Sequence, residues 1–339
     1  MQSNGIDLGV STGVFNPSTF VGASTGTLNN EQIISEANTF IFTVKTNAAV
    51  AATTTVQLPL VSTGTYNFLV DWGDGQKDYV TSFAQIYVRE TVARTHTYRT
   101  VGTYTIRITG VCIGWSFFGL TNEQPKIQSI ERFGCLELIN DATNGQQFAG
   151  CTNLDLSNVR DTLSTKYLTN MLALFGNIPN LKVNLLNNWD VSNLTNIASL
   201  FFGCTNFNTQ MGNWNVSNVT TMFNLFISAT QFNQDISYWN VSNVTNMGSV
   251  FDGAIAFNQD IGNWNIGAVT SFTSFMAGKT PVTFSAANLD AIYSGWSSRP
   301  SQSNLNISFG TANYTTAGGG AGRAILVSRG WTIVDGGGI

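Results

Sequence analysis

The sequence predicts a mainly β protein with short helices: an extended N-terminal arm, a small β-sandwich, and a repeat solenoid closed by a C-terminal cap. Three observations predict it. Trp189, Trp214, Trp239 and Trp264 lie 25 residues apart, and a fixed period in the 20–29 range marks stacked repeat units. Short runs between residues 40 and 112 alternate apolar and polar side chains, as half-buried strands do. Charged residues make up only 10% of the 339 residues, against roughly 25% in ordinary soluble proteins. With 43% apolar residues the chain can still bury a core, so its polar surface must be built from Asn, Thr, Ser and Gly.

Residues 1–40 show neither helical nor strand period, only isolated apolar anchors at Val14, Phe15, Phe20 and Val21. They are expected to be an arm that orders on a neighbouring subunit. Residues 41–112 read as strands. Tyr66, Phe68 and Val70 share one face, and Tyr104, Ile106 and Ile108 form an inward row opposite Thr103, Thr105 and Arg107. Between them Asp71-Trp72-Gly73-Asp74-Gly75 gives a sharp turn, because glycine tolerates positive φ. Residues 113–280 carry the repeats. Phe207, Phe232 and Phe257 keep the tryptophan period, as do Val191, Val216, Val241 and Ile266. Each unit has an apolar stripe that it buries only against the next unit. Ile236, Trp239, Val241 and Val244 have the spacing of a leucine-rich-repeat strand, and inserted residues over 156–188 predict a local bulge. Residues 281–339 read as the cap. Leu289, Ile292, Tyr293 and Trp296 have helical spacing, Leu305, Ile307 and Phe309 alternate, and a short helix at 321–328 leads to a last strand at 331–334.

Two segments resemble known families. The Trp72-Gly73-Asp74-Gly75 turn, followed by His96-Thr97-Tyr98 and Gly102-Thr103-Tyr104-Thr105-Ile106, resembles the PKD family of immunoglobulin-like domains. Trp189-Asp190-Val191-Ser192-Asn193-Leu194, Phe232-Asn233-Gln234-Asp235-Ile236 and Trp239-Asn240-Val241-Ser242-Asn243-Val244 resemble the BspA-like leucine-rich-repeat family. Both resemblances imply surface display and adhesion.

Candidate chemistry is sparse. The single histidine, His96, has no partner set for a triad, and the PKD resemblance places it in a packed strand. Asp71, Asp74 and Asp78 surround one turn and could offer calcium hard oxygen ligands; a plain turn is the first reading. No other metal site and no cofactor are expected. Cys112, Cys135, Cys151 and Cys204 lack C-x-x-C spacing. Cys151 and Cys204 take a column that later holds Ala229 and Ala254, with Ile178 between them. Two units apart is about 10 Å at strand spacing, too far for a disulfide. The Asn-x-Ser/Thr matches at Asn193, Asn215, Asn218, Asn240 and Asn243 satisfy a glycosylation motif, meaningful only in a host that glycosylates exported proteins; they follow from one repeated phrase, and some of these side chains are expected to cap turns. The tryptophans are expected to point inward rather than form a sugar-stacking row. The binding candidates are the outward positions of the expected strand face: Asp190, Ser192, Asn215, Ser217, Asn240, Ser242 and Asn265. No nucleophile elbow, P-loop, H-E-x-x-H or dinucleotide motif appears.

The net charge of −4 offers no basic field for nucleic acid. No run of about 20 apolar residues suggests membrane insertion. The start, from Met1 to Gly9, has neither a basic nor an apolar leader region. The expectation is therefore a non-enzymatic virion-associated protein, a phage head or tail appendage, oligomeric in an assembly. Its arm would meet other subunits, and its repeats would meet a host surface glycan or protein. The alternative is an extracellular cell-surface adhesin of a bacterium, its leader removed. A polysaccharide-degrading enzyme would need a catalytic domain for which no stretch is left over.

Overall fold

The computed structural model describes residues 36–46, 54–81, 94–140 and 145–339. The expected arm therefore lies almost wholly outside the described residues. The chain is mainly β with few short helices, as the sequence predicts. The order is β1 (Thr39–Lys45), β2 (Thr55–Gln57), β3 (Leu60–Asp71), β4 (Lys77–Val80), β5 (Thr95–Thr97), β6 (Thr103–Trp115), β7 (Ile127–Arg132), β8 (Leu136–Ile139) and β9 (Ser164–Tyr167). After a long stretch of turns come α1 (Ala286–Ser297), β10 (Asn306–Ser308), α2 (Gly320–Ser328) and β11 (Thr332–Val334).

The main sheet runs β4-β3-β6-β1-β7 and is antiparallel along that path. Its central strand, β6, connects the sheet to the repeats. β3 covers one edge of β6 from Arg107 to Trp115. On the other edge β1 pairs from Thr103 to Thr109, and β8 then takes over in parallel at Cys112 and Ile113. β9 adds in parallel to β8. The sheet thus draws strands from both sides of residue 112 and leads by backbone pairing into the repeats. The alternation read from the sequence becomes burial: Tyr66, Phe68 and Val70 face the core, as do Ile106 and Ile108. At the β3–β4 turn Gly73 has φ +80, and a Cβ there would meet the Thr105 carbonyl oxygen at 2.4 Å, so only glycine fits.

From residue 145 onward, equivalent positions of successive units are joined by single parallel bridges: Asn170 to Asn196, then Thr221, Asn246 and Ser271. Beside each bridge, alternate N–H groups donate to the next unit. Met222, Asn224, Phe226 and Ser228 donate to the carbonyls of Asn246, Gly248, Val250 and Asp252 at 2.8–3.0 Å. Within a unit the chain turns every three residues, as in Leu225 N–H to Met222 and Ala229 N–H to Phe226. Ser199, Asn224, Ser249 and Ser274 adopt positive φ at one column, which breaks any extended run.

This corrects the expected repeat strand. Residues 236–244 form two turns, closed by Trp239 N–H to Ile236 at 3.1 Å and Val244 N–H to Val241 at 2.9 Å. The reason lies in the spacing. Ile236 to Trp239 and Val241 to Val244 are steps of three, whereas a strand returns to one face every two residues. Inward side chains nevertheless stack in columns. Phe207, Phe232 and Phe257 lie 5.9 Å apart with near-parallel rings, and Trp214 stacks on Trp239 at 6.4 Å. Each indole N–H reaches back to a carbonyl of the preceding unit: Trp214 to Leu186, Trp239 to Met211, Trp264 to Ile236. Trp189 Nε1 is buried without a partner. The unit before it holds inserted residues, with Leu154 to Leu163 spanning nine positions, and its own unit runs eight from Leu181 to Trp189, where Phe207 to Trp214 spans seven. The missing bond thus falls at the one tryptophan of the row that follows the lengthened unit.

The stack ends at a specific stop. Thr205 and Thr230 carbonyls accept the N–H groups of Gln231 and Ala256 from the following unit. The next residue in that series is Pro281, which has no N–H. Lys279, in the column of Cys204, Ala229 and Ala254, replaces it. Its Nζ donates to the Ala254, Ile255 and Phe257 carbonyls. Burial pushes its pKa down to about 7; the three acceptors oppose that push, because they match the three donors of the ammonium form. Beyond this point α1, capped by the Ser285 side chain, and the parallel pair β10–β11 close the core. One continuous hydrophobic cluster runs from Phe40 to Trp331.

Trp239→Ala is expected to lower stability by about 3–5 kcal/mol, as for other buried large-to-small changes. A denaturant melt matching the parent would contradict the inward assignment. Lys279→Met keeps the length but orphans buried carbonyls, and is expected to lose about 1–3 kcal/mol in the same assay.

Candidate functional site

The outward candidates lie on the turns just described, not on a strand. Asp190, Asn215, Asn240 and Asn265 form one exposed column. Each uses its side-chain oxygen to accept the N–H two residues on: Ser192 at 3.0 Å, Ser217 at 3.2 Å, Ser242 at 3.2 Å and Gly267 at 3.1 Å. These are Asx turns, for which Asn and Asp are suited. Ser192, Ser217 and Ser242 are half-buried beside them. The Ser192 hydroxyl and N–H hold the Asp190 carboxyl below the usual range.

Neighbouring polar residues tie the units together. Asn218 and Asn243 donate Nδ2 to the Ser192 and Ser217 carbonyls at 2.8 and 2.7 Å. Thr195, Thr220, Thr245 and Thr270 donate their hydroxyls to the threonine carbonyl of the preceding unit at 3.0–3.1 Å. Of the repeated Asn-x-Ser/Thr phrase, Asn218 and Asn243 are thus consumed by the stack itself. Asn215, Asn240 and Asn265 keep an amide directed away from the backbone.

A second amide ladder was not singled out in the sequence. The Oδ1 atoms of Asn208, Asn233 and Asn258 accept the N–H groups of Asn233, Asn258 and Ser285, each at 2.9 Å. Its signal was present, since these asparagines lie 25 residues apart and directly follow the phenylalanine column.

At the β3–β4 turn the three carboxylates point to different partners. Asp71 pairs with Lys77 at 3.0 Å, Asp78 accepts the Trp72 indole N–H at 2.7 Å, and Asp74 meets His96 Nε2 at 2.8 Å. Among the described residues no three His, Cys, Asp or Glu side chains gather as a metal site would need. His96 is 6% exposed and stacks on Trp72 at 4.8 Å, with Tyr98 edge-on at 4.5 Å. The His96–Asp74 pair joins residues 22 apart and had no sequence signal beyond the turn motif. Burial pushes the Asp74 carboxyl up, but the His96 hydrogen bond, the Gln76 N–H and the His96 charge together bring it below its usual range.

The thiols are enclosed. Cys204 donates to the Phe175 carbonyl at 3.1 Å, and burial pushes its pKa up to about 12. Burial also raises the thiol pKa of Cys151. Ile178 fills the place between them in the column. Near the C-terminus Asp335 accepts from Tyr293 and from Arg323 Nε at 2.7 Å, which pins the chain after β11 to both helices. Among the described residues no helix is long and apolar enough to cross a membrane.

These features define a mainly β protein carrying in-register 25-residue units whose exterior is largely uncharged and polar. Residues 146–288 are similar to a family described as a Mycoplasma protein of unknown function, DUF285. That span takes in the repeat units and the start of α1 and excludes the main-sheet strands β1, β3, β4 and β6–β8. No curated protein and no solved structure matches the chain.

The lowered carboxyl of Asp74 sets a pH dependence. Its folded-state pKa lies below the ordinary 3.8, so the unfolded chain binds more protons between the two values. Its stabilisation is fully present above 3.8 and lost as pH falls through the folded value. Asp74→Asn is expected to flatten acid denaturation in that window, read by melting the two proteins side by side at pH about 2 to 5. Identical acid profiles would show that the pair carries no linkage.

Proposed function

We propose that this protein is a non-enzymatic structural and adhesion protein, a virion-associated appendage that presents its repeat units to a host or particle surface. The observation that carries the reading is repetition of one outward phrase. The same Asx column, at Asp190, Asn215, Asn240 and Asn265, occurs on consecutive units of a single continuous core. Such a row multiplies a weak contact, provided the target repeats too.

In this reading residues 113–280 are a leucine-rich-repeat-like solenoid of the BspA type in which turns take the place of strands. Residues 281–339 are its cap, and residues 41–112 are a PKD-like sandwich whose main sheet is carried past residue 112 by the end of β6 and by β7–β9. Support for two layers comes from the small β2–β5 sheet, which brings Val56 into the core of the main sheet. A bacterial cell-surface adhesin is the second reading, favoured by the similarity to a Mycoplasma family.

Antibody raised against the chain is expected to label purified phage particles rather than bacterial envelopes; the reverse pattern selects the second reading. Labelled full-length protein is expected to adsorb to whole bacterial cells. A variant with Asn215→Asp, Ser217→Glu, Asn240→Asp and Ser242→Glu is expected to lose about tenfold or more of that adsorption with an unchanged Tm. Asp190 already makes the same turn with a carboxylate, so the fold tolerates the two Asn→Asp exchanges, and the Tm reports whether it also accepts glutamate at the half-buried Ser217 and Ser242. Undiminished adsorption by the folded variant would remove the adhesive reading.

A further inference from the structure

We infer that the column Asn215, Asn240 and Asn265, with Tyr238 beside it, binds an uncharged polysaccharide chain running along the stack. The inference rests on the adhesive reading above and adds the chemical class of the ligand.

The first support is the fixed direction of the amides. A backbone N–H can be accepted only by an amide oxygen, never by the NH2 group. The bonds from Ser217, Ser242 and Gly267 therefore lock each Oδ1 inward. On these exposed side chains the Nδ2 donors are left facing solvent, one per unit and in register. The row is preorganised, so binding costs little side-chain ordering. Donors in a row call for a ligand with acceptors in a row, which the hydroxyl and ring oxygens of a polysaccharide provide.

Charge selects among polymers. From residue 183 to 278 there is no Lys, Arg or His, while Asp190, Asp235, Asp252 and Asp260 are present. Nucleic acids and acidic polysaccharides meet repulsion here and no cation. A protein partner would want a contiguous apolar centre. The exposed large apolar residues of these units, Phe223, Tyr238 and Ile255, occupy three different columns and form no such centre. Tyr238 is 87% exposed, two residues before Asn240 and in a column otherwise filled by Asn213 and Asn263. A tyrosine ring supplies an apolar face for sugar C–H groups and a hydroxyl at its tip. An aromatic platform within an amide row is a carbohydrate-binding combination.

The test uses the full chain on an array of neutral bacterial and plant polysaccharides, with alginate and hyaluronan as anionic comparisons. Retention on at least one neutral polysaccharide is expected, unchanged between about 0.01 M and about 1 M salt. The variants Tyr238→Ala and Asn215→Asp/Asn240→Asp/Asn265→Asp, with parental Tm, are expected to weaken it about tenfold or more. Retention on no neutral polysaccharide overturns the inference, as does retention on the anionic ones that salt abolishes, or binding that both folded variants keep in full. Cell adsorption that persists while the array stays blank would leave the adhesive reading standing and point to a protein receptor.

Discussion

Every turn in the stacked units leaves backbone N–H and C=O groups that a strand ladder would have paired. Satisfying those groups is the constraint on which the rest of the structure depends. Half of the solution is the next unit, which receives alternate N–H groups. The other half is side chains at fixed columns: Asn and Asp for the Asx turns, Thr for the carbonyl of the unit before, Asn again below the phenylalanines. The low charge of the chain follows from this. Lysine or glutamate at those columns could not reach back to the adjacent backbone in the same geometry, so short amides and hydroxyls take the exterior.

The interior answers to the same register. Once the backbones stack unit on unit, like side chains must lie over like, and flat rings tolerate that best. Phe201, Phe226 and Phe251 sit 5.8 Å apart with nearly parallel planes. Where register falters, the cost is visible. After the inserted residues, the Trp189 indole N–H has no partner, where every later tryptophan in the row reaches a carbonyl of the preceding unit. Next to that irregular unit the main sheet supplies order instead, through β6, β8 and β9. The disturbance is therefore held between two regular regions and does not reach a free end.

Much of this was legible in the sequence. The strands of the first region alternate with period two, and Phe68, Val70, Ile106 and Ile108 are buried as that pattern requires. The cap helix shows in Leu289, Ile292, Tyr293 and Trp296. The period of the repeats and the inward tryptophans show in spacing alone. The conformation of a repeat did not, because Ile236, Trp239, Val241 and Val244 fit a strand motif in outline while their steps of three belong to turns. Nor could the sequence separate Asn215 from Asn218. The two share a phrase, yet Asn215 caps its own turn and Asn218 bonds the unit before. The His96–Asp74 contact depends on how β5 approaches the β3–β4 turn, a long-range fact with no local signature. The role of Lys279 becomes readable only once Pro281 is seen to withhold a donor from Ile255.

The contrast between the middle of the row and its ends has a further meaning. A middle unit pairs only with its neighbours and offers each the same backbone groups and stacked rings, so its pairing does not record its rank. The ends are spelled out once each, by β6 with β8 on one side and by Lys279 with Pro281 on the other. A row built on that grammar can lengthen or shorten by whole units between unchanged terminators. The number of units thus becomes a quantity that inheritance can adjust in whole steps, without redesigning either terminator.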